Sequence, residues 1–406
     1  MKGVVAVLVL EKFKEAKKML DKAQVLRNTN LIYSDFFTKE IGADVYLKPE
    51  NLQRTGSYKI RGGFNKISNL SPEQKKSGVI AASAGNHAQG VAFSAHATGI
   101  PATIVMPVTA PSIKRRNTES YGVNVVLHGE NYDDAYVYAR ELEKEHGYTY
   151  VHAYDDLEIS TGQGSIAIEI LEEMPDKDII VVPVGGGGLA AGVATCAKLI
   201  NPKIKIVGVE PAGASSLKIA FEKGMPQALS TLNTIADGAQ IAKVGYTIFP
   251  YLRAGIDHFT SINDEALVDS LLDLIEQHKM IAEPSGLLSI AVLTQLASLI
   301  GEDIKNKKVV SVVSGGNIDS NTVSVYIQHA LRRRGRIFEF SVNLPQKPGA
   351  LASIVEIIAK EGGNIIDIHH NHFANINIKS AAHVTITLEV PEPAVKEKII
   401  KLCSGA

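Results

Sequence analysis

Ile179-Ile180-Val181-Val182-Pro183-Val184-Gly185-Gly186-Gly187-Gly188-Leu189-Ala190-Ala191 decides the fold of this chain. An unbroken β-branched run reads as a strand buried on both faces, the kind found in parallel sheets. The apolar stretch from Leu189 to Leu199 that follows reads as a helix. Between them, four residues without Cβ leave successive backbone N–H groups bare at the positive end of that helix, which is a cradle for phosphate. Tight strand-to-helix packing is the plain alternative for the same glycines.

The pattern repeats in both directions from this point. Val79 to Ala82, Thr103 to Met106, Val123 to Leu127, Ile204 to Val209 and Val309 to Val313 read as buried strands. Helical periods fall between them, at Tyr132 to Glu145, Ser165 to Glu173, Glu265 to His278 and Leu287 to Leu299. Strands alternating with helices predict a parallel α/β architecture, here with two wound sheets. From Arg336 the style changes, because Phe338, Phe340, Val342 and Leu344 alternate with Glu339, Ser341 and Asn343. That period of two predicts a one-faced antiparallel strand and a separate small domain. The charged stretch Arg332-Arg333-Arg334-Gly335-Arg336 reads as the hinge before it, or as a solvated helix end.

Composition narrows the function classes. At 406 residues, 45% hydrophobic and 21% charged, the chain can bury two or three cores. A formal net charge of -1 gives no reason to expect nucleic acid or an anionic membrane as partner. Two cysteines, Cys196 and Cys403, are too few for a disulfide framework or a zinc site, and predict a reducing, cytoplasmic setting. The apolar start from Val4 to Leu10 is too short to span a membrane and runs into Glu11-Lys12-Phe13-Lys14-Glu15, so no export signal is read there.

Three further loops carry chemistry. Ser57-Tyr58-Lys59-Ile60-Arg61-Gly62 sets a lysine among a hydroxyl, a ring and a glycine. Ser83-Ala84-Gly85-Asn86-His87 joins a buried strand to a helix with far more polarity than a turn requires. Ser314-Gly315-Gly316-Asn317 ends another buried strand. The run Gly186-x-Gly188-x-x-Ala191, with Glu210 after the next strand, also fits a dinucleotide fingerprint, although it lies mid-chain instead of at a first β-α turn. A lysine, a phosphate cradle and neutral polar loops together suit pyridoxal phosphate better.

These four loops, in this order, resemble those of the fold-type II pyridoxal-phosphate enzymes, with the tryptophan synthase β-like fold, and within them the threonine dehydratases. The likeness spans Lys12 to Ala330 and implies residue roles. Lys59 would carry the cofactor as a Schiff base and, once freed, move the α-proton. Asn86 would hydrogen-bond the ring's phenolic oxygen, Gly185, Gly186, Gly187, Gly188 and Leu189 would hold the phosphate, and Ser314 would face the pyridine nitrogen. Ser83, Ala84, Gly85, Asn86 and His87 would receive the substrate carboxylate, with capping or packing an equal alternative for the His87 side chain. The cofactor phosphate would protonate the departing hydroxyl. Ala236-Asp237-Gly238 and Ala282-Glu283-Pro284-Ser285-Gly286 resemble further loops near the ring, or are plain turns and caps.

The resemblance implies elimination from L-threonine, giving 2-oxobutanoate and ammonia, with side activity on L-serine. Serine dehydratase and serine racemase are the alternatives on the same fold, and a non-catalytic amino-acid sensor is a third. Ala84 stands where the racemases carry a hydroxyl, which argues against racemisation. Tyr58 stands for the usual Phe, and Thr29-Asn30 for a Thr-Pro, which predicts a looser early loop. Glu210 and Ala214 lie where some relatives bind a cation, but Ser216 replaces a further carboxylate, so no metal is assigned. The tail resembles an ACT domain in the order β-α-β-β-α, without the usual last strand before Ala406. Its loop from Lys347 to Leu351 would bind an amino-acid effector, with isoleucine the expected one, and the likeness implies a homotetramer. His369-His370-Asn371-His372 alternates faces on a strand and is not read as a metal site. The organisation expected is therefore a catalytic region over 1–330, with a small subdomain at 51–154 and a large one from 1–50 with 155–330, then a linker at 331–336 and an ACT-like regulatory domain at 337–406.

Overall fold

A computed structural model describes residues 7–371 and 381–404. The chain divides into two compact units, 1–318 and 319–406. In the first, two separate sheets form, as the alternation of runs and helical periods predicts. The larger has the order Ile32–Tyr33, Asp44–Pro49, Lys308–Val313, Ile179–Pro183, Lys205–Pro211, His258–Ile262. All its pairs are parallel except the first. The smaller sheet, Asn124–Leu127, Ala102–Met106, Val79–Ala82 and Thr149–Tyr150, is parallel throughout.

The run that opened the sequence reading becomes the strand Ile179–Pro183, buried at every position, and is followed by the helix Gly188–Ile200. Its neighbours Val310 and Val312 on one side and Ile206 on the other complete an aliphatic core with Ile166, Ile170 and Val193. Catalytic loops in such sheets gather at the carboxyl ends of the strands, and all four polar loops leave strands or enter helices at those ends.

Two helices differ from the sequence reading. The helix expected over 165–173 begins earlier, as Leu157–Glu173, because the Asp156 side chain accepts from the Glu158 and Ile159 N–H groups as an N-cap. Gly162 and Gly164, which look like helix breakers, are needed for packing: a Cβ at Gly162 would enter the Arg61 carbonyl, and one at Gly164 the Phe13 ring. The helix expected over 287–299 is broken into Pro284–Ala291, a tighter 3-10 turn Leu293–Gln295, and Leu296–Ile300. β-Branched Val292 and Thr294 sit at that break. The helix Leu10–Ala23, which the periodicity did not single out, buries Phe13, Ala16 and Leu20.

The second unit starts with the helix Ser320–Arg333, so Arg332 and Arg333 lie in a helical last turn. The strands Ile337–Pro345, Ala381–Glu389 and Asn364–Asn371 form an antiparallel sheet in that spatial order, with the helices Ala350–Lys360 and Pro393–Ser404. The chain order is β-α-β-β-α after the first helix. Phe338, Leu344, Ile354, Ile358, Val384, Ile386, Leu388 and Ile399 form its core, on the face that the alternation marked. His369 and His370 pair with Thr385 and Val384 on the strand, while His372 lies outside the described residues.

Candidate active site

Lys59 is the first residue of the helix Lys59–Ser68. The segment before it is laced to the Ser314 loop: Ser57 bridges Gly315, the Tyr58 N–H donates to the Ser314 carbonyl at 3.1 Å, and the Gly316 N–H to the Gly56 carbonyl at 2.8 Å. The Lys59 ammonium donates to the Ala153 carbonyl at 2.8 Å and lies 5.3 Å from the centre of the Tyr58 ring. Burial lowers its pKa to about 8, and the nearby Glu283 carboxylate opposes that fall. Gly90 of the adjoining helix packs on the Lys59 backbone, where a Cβ would come within 3.0 Å.

Two residues on, Arg61 is wholly buried and fixes this helix to the large sheet. Its guanidinium meets Glu50 at 2.7 and 2.8 Å and Glu169 at 2.7 Å through each of two nitrogens. Lys48 joins at Glu169 and at the Thr29 carbonyl, both 2.7 Å. Burial pushes Glu169 upward, but the charges of Arg61 and Lys48 and their hydrogen bonds outweigh it and hold it at about 2. Thr29 is itself buried and donates to Glu50 at 2.6 Å, so the early loop is held firmly where the missing proline predicts looseness.

The Ser83 loop leaves Val79–Ala82 and enters the helix Asn86–Thr98. The Ser83 N–H donates to the Val105 carbonyl at 3.0 Å, and its hydroxyl accepts from the Gly85 N–H at 3.2 Å. This leaves the first N–H groups of the helix for an anion. The His87 ring is buried, with Nε2 at 2.8 Å from the Val151 carbonyl. Burial and the neighbouring Lys59 charge lower its pKa to about 3, so it is neutral at pH 7. Ala84 adds no polar atom to the loop.

In the glycine loop, Gly187 adopts φ 98°, which favours glycine, and the other three are crowded. A Cβ at Gly185 would press on Ala239, one at Gly186 would enter the Tyr154 ring, and one at Gly188 would meet the Tyr154 carbonyl at 2.7 Å. The Ala153–Tyr154 segment that accepts the Lys59 hydrogen bond therefore also backs the cradle. Ala239, through the Asp237–Ala239 turn, joins the cradle to Gly238, which packs on Ser285 and Glu283.

Glu283 then closes the ring of loops. Its carboxyl accepts from Asn86 Nδ2 at 2.5 Å and crowds Gly315, while Asn317 Nδ2 donates to Asn86 Oδ1 at 2.6 Å. Burial and the Asp237 charge raise Glu283 to about 8, against the Asn86 hydrogen bond and the charges of Lys114 and Lys59. Sequence reading left Glu283 as a possible helix cap and gave Asn317 no role; its strongest clue was a carboxyl set in the apolar company of Ala282 and Pro284. Lys48, Glu50 and Glu169 were missed, since charged residues near turns look like solvated surface.

These residues fit pyridoxal phosphate. Among the described residues, the N–H groups of Gly185 to Leu189 have no protein acceptor, and the buried hydroxyls of Ser57 and Ser285 have no partner. A dianionic phosphate, a ring and a carboxylate would satisfy such groups. By contrast, Glu210 already accepts from the Leu217 N–H at 2.8 Å, the Lys218 N–H at 3.1 Å and the Ser261 hydroxyl at 3.2 Å. Among the described residues no group of three or more His, Cys, Asp or Glu side chains is placed to hold a metal.

Comparison with known proteins agrees with this geometry. Residues 22–315 match the family described as pyridoxal-phosphate-dependent enzymes. An L-threonine ammonia-lyase of Thermotoga maritima is 41% identical over 392 residues, covering 96% of each chain. One from Geobacter sulfurreducens is 40% identical over 366 residues, 90% of each. Among solved structures, the processed form of threonine deaminase isoform 2 from Solanum lycopersicum superposes with a TM-score of 0.74 at 36% identity, covering 79% of this chain and 93% of that one. Maize serine racemase gives the same TM-score of 0.74 at 32% identity, over 81% and 99%. The backbone thus does not separate elimination from racemisation, but the motifs, the cradle and the matched length agree on one conclusion: the chain belongs to the threonine ammonia-lyase family of pyridoxal-phosphate-dependent enzymes.

Proposed function

We propose that this protein dehydrates and deaminates L-threonine to 2-oxobutanoate and ammonia, with a lesser activity on L-serine. The observation that carries the reading is the lacing of the Ser314 backbone to Tyr58, which pairs a loop bearing a neutral serine with the segment that carries the buried Lys59. When bound, pyridoxal phosphate supplies the electron sink that makes the substrate's α-C–H acidic and allows the β-hydroxyl to leave. The chain's residues then have separate tasks. The N–H groups of Gly185 to Leu189 would hold the phosphate, Asn86 Nδ2 would donate to the ring's phenolic oxygen, and Ser314 would offer the ring nitrogen a neutral hydroxyl that leaves it unprotonated. Ser83 and the N–H groups at the start of the helix Asn86–Thr98 take the substrate carboxylate. The Lys59 amine, with its pKa near 8, removes and returns protons at neutral pH. The enamine released takes up water and loses ammonia.

Ala84 supports elimination over racemisation, because it has no group to deliver a proton from the opposite face. The test is a steady-state comparison of threonine and serine, with 2-oxo acid followed by a coupled reduction. A higher kcat/KM for threonine is expected; a colourless protein that makes no 2-oxo acid from either substrate would overturn the proposal.

The second unit we propose to be an ACT-like regulatory module that binds isoleucine, within a cytoplasmic homotetramer. Its β-α-β-β-α order supports this, as does the loop before the helix Ala350–Lys360, where Gly349 has φ 88°. Backbone N–H groups at that helix start suit an effector carboxylate. Two buried free cysteines are consistent with a reducing compartment, and no helix among the described residues is long and apolar enough to cross a membrane. We keep 1–330 as the catalytic region, with 51–154 as its small subdomain and 1–50 with 155–330 as its large one, 331–336 as the linker and 337–406 as the regulatory domain.

A further inference from the structure

Three side chains from separate loops hold one another in a fixed order around Asn86. Asn317 Nδ2 spends both of its protons, one on the Thr55 carbonyl at 2.7 Å and one on Asn86 Oδ1 at 2.6 Å. A carbonyl can only accept, so this end of Asn317 must be its NH2 group. Asn86 must then turn its oxygen to Asn317 and its nitrogen to Glu283, whose Oε1 accepts at 2.5 Å. Flipping Asn86 alone would set NH2 against NH2 on one side and oxygen against oxygen on the other. Flipping Asn317 would set its oxygen against the Thr55 carbonyl. Glu283 Oε1 can accept whether the carboxyl is charged or neutral, so the order survives a change in its protonation.

The arrangement leaves a single N–H of Asn86 without a protein acceptor among the described residues. Had the amide the other orientation, Asn86 would present an oxygen to the phenolic oxygen of the cofactor, and two acceptors would be forced together. Both supporting residues are placed by crowding as well as by bonding. A Cβ at Gly56 would enter the Asn317 amide, and one at Gly315 would enter the Glu283 carboxyl. The Glu283 N–H also donates to the Gly315 carbonyl at 3.0 Å, which fixes the base of its side chain.

We propose that Asn317 and Glu283 are positioning residues that set the Asn86 amide with its remaining N–H toward the phenolic oxygen of pyridoxal phosphate. The inference rests on Asn86 meeting that oxygen, and deepens the cofactor reading without depending on which amino acid is the substrate. Its test is cofactor affinity, read from the visible absorption band of each holoenzyme variant dialysed against a series of pyridoxal-phosphate concentrations, with the thermal midpoint as a folding control. Asn317→Asp brings carboxylate oxygens to both contacts, draws the Asn86 NH2 toward itself, and should weaken binding about tenfold and shift the band, the scale of one lost hydrogen bond to a charged group. Glu283→Leu removes the acceptor and should act in the same direction, whereas Glu283→Gln, which still offers an amide oxygen, should restore affinity to within about twofold. In an Asn86→Ala background, Asn317→Asp should add less than about twofold, because the group it positions is gone. Should Asn317→Asp fail to fold, Asn317→Ser removes the amide without adding charge and should still weaken binding about threefold. Wild-type affinity and band in folded Asn317 and Glu283→Leu variants would overturn the proposal, as would a full tenfold loss persisting in the Asn86→Ala background. A wild-type protein that binds no cofactor would instead overturn the reading beneath it.

Discussion

Replacing Arg61 by Met tests whether the helix that carries Lys59 is held by a buried ion network. The guanidinium makes four contacts of 2.7–2.8 Å to four carboxylate oxygens, two on Glu50 and two on Glu169. Arg61 and Glu50 are fully enclosed and Glu169 is 18% exposed, so solvent screens little of this. In Arg61→Met, Glu169 keeps Lys48, but Glu50 keeps only the Thr29 hydroxyl and becomes a buried carboxylate without a counter-ion. Breaking such a pair from one side costs about 3–5 kcal/mol. For a unit of this size each kcal/mol moves the midpoint by roughly 2–4 °C, so a fall of roughly 6–20 °C is expected. Arg61→Lys keeps a charge but cannot fork to both carboxylates, and should lose about half as much. The pH dependence gives a second check. Glu169 is held at about 2 against an ordinary 4.5, so its share of the stability is present above 4.5 and lost as pH falls through 2. The deficit of Arg61→Met should therefore narrow between about pH 4.5 and about pH 2 in urea titrations. An unfolding midpoint equal to wild type at pH 7, or a deficit that widens on acidification, would refute the reasoning.

Other perturbations address the remaining parts of the site. Lys59→Ala should abolish 2-oxobutanoate formation and leave the cofactor without its covalent attachment; turnover at the wild-type rate would remove Lys59 from its role. Ser314→Asp should protonate the ring nitrogen, slow elimination and raise side reactions such as transamination, all visible by product analysis; an unchanged rate with no side products contradicts that placement. Gly186→Ala drives a methyl into the Tyr154 ring and should cost about 1–3 kcal/mol in thermal or urea unfolding, with partial recovery in Gly186→Ala/Tyr154→Ala, and a fully stable single variant would count against the crowding. Isoleucine should change the activity of the wild-type protein, read as a ratio with and without effector. Gly349→Asp, whose new Cβ meets nothing but which strains the backbone at φ 88° and adds a carboxylate to the proposed effector loop, should abolish the response; equal responses in both would make the tail structural.

How much of this was legible in the sequence depends on the range of the interaction involved. A parallel strand buried on both faces carries a run of apolar residues, so Ile179–Pro183, Lys205–Pro211 and Lys308–Val313 were marked by local composition alone. The polar loops were legible for the opposite reason, since Ser83, Asn86 and Ser314 stand beside buried runs where no fold requires polarity. Arg61 could be seen, but its partners Glu50 and Glu169 lie 11 and 108 positions away, and nothing local distinguishes them from surface acids.

The glycines show the same limit from the other side. Gly162 and Gly164 lower helix propensity wherever they stand, and a local reading therefore started the helix at 165 and passed over Leu157. In the folded chain a Cβ at Gly162 would strike the backbone of Arg61, one at Gly164 the Phe13 ring, and one at Gly192 the Ser160 carbonyl. The helix accepts a local penalty of about 1 kcal/mol per glycine because close approach lets Glu169, two turns further along, reach Arg61. Helix Leu157–Glu173 thereby presses on Lys59–Ser68 from one side while Gly90 of Asn86–Thr98 presses on Lys59 from the other. Lys59 is thus clamped by residues that carry no chemistry, and the precision of the site depends on side chains that are absent as much as on those that are present.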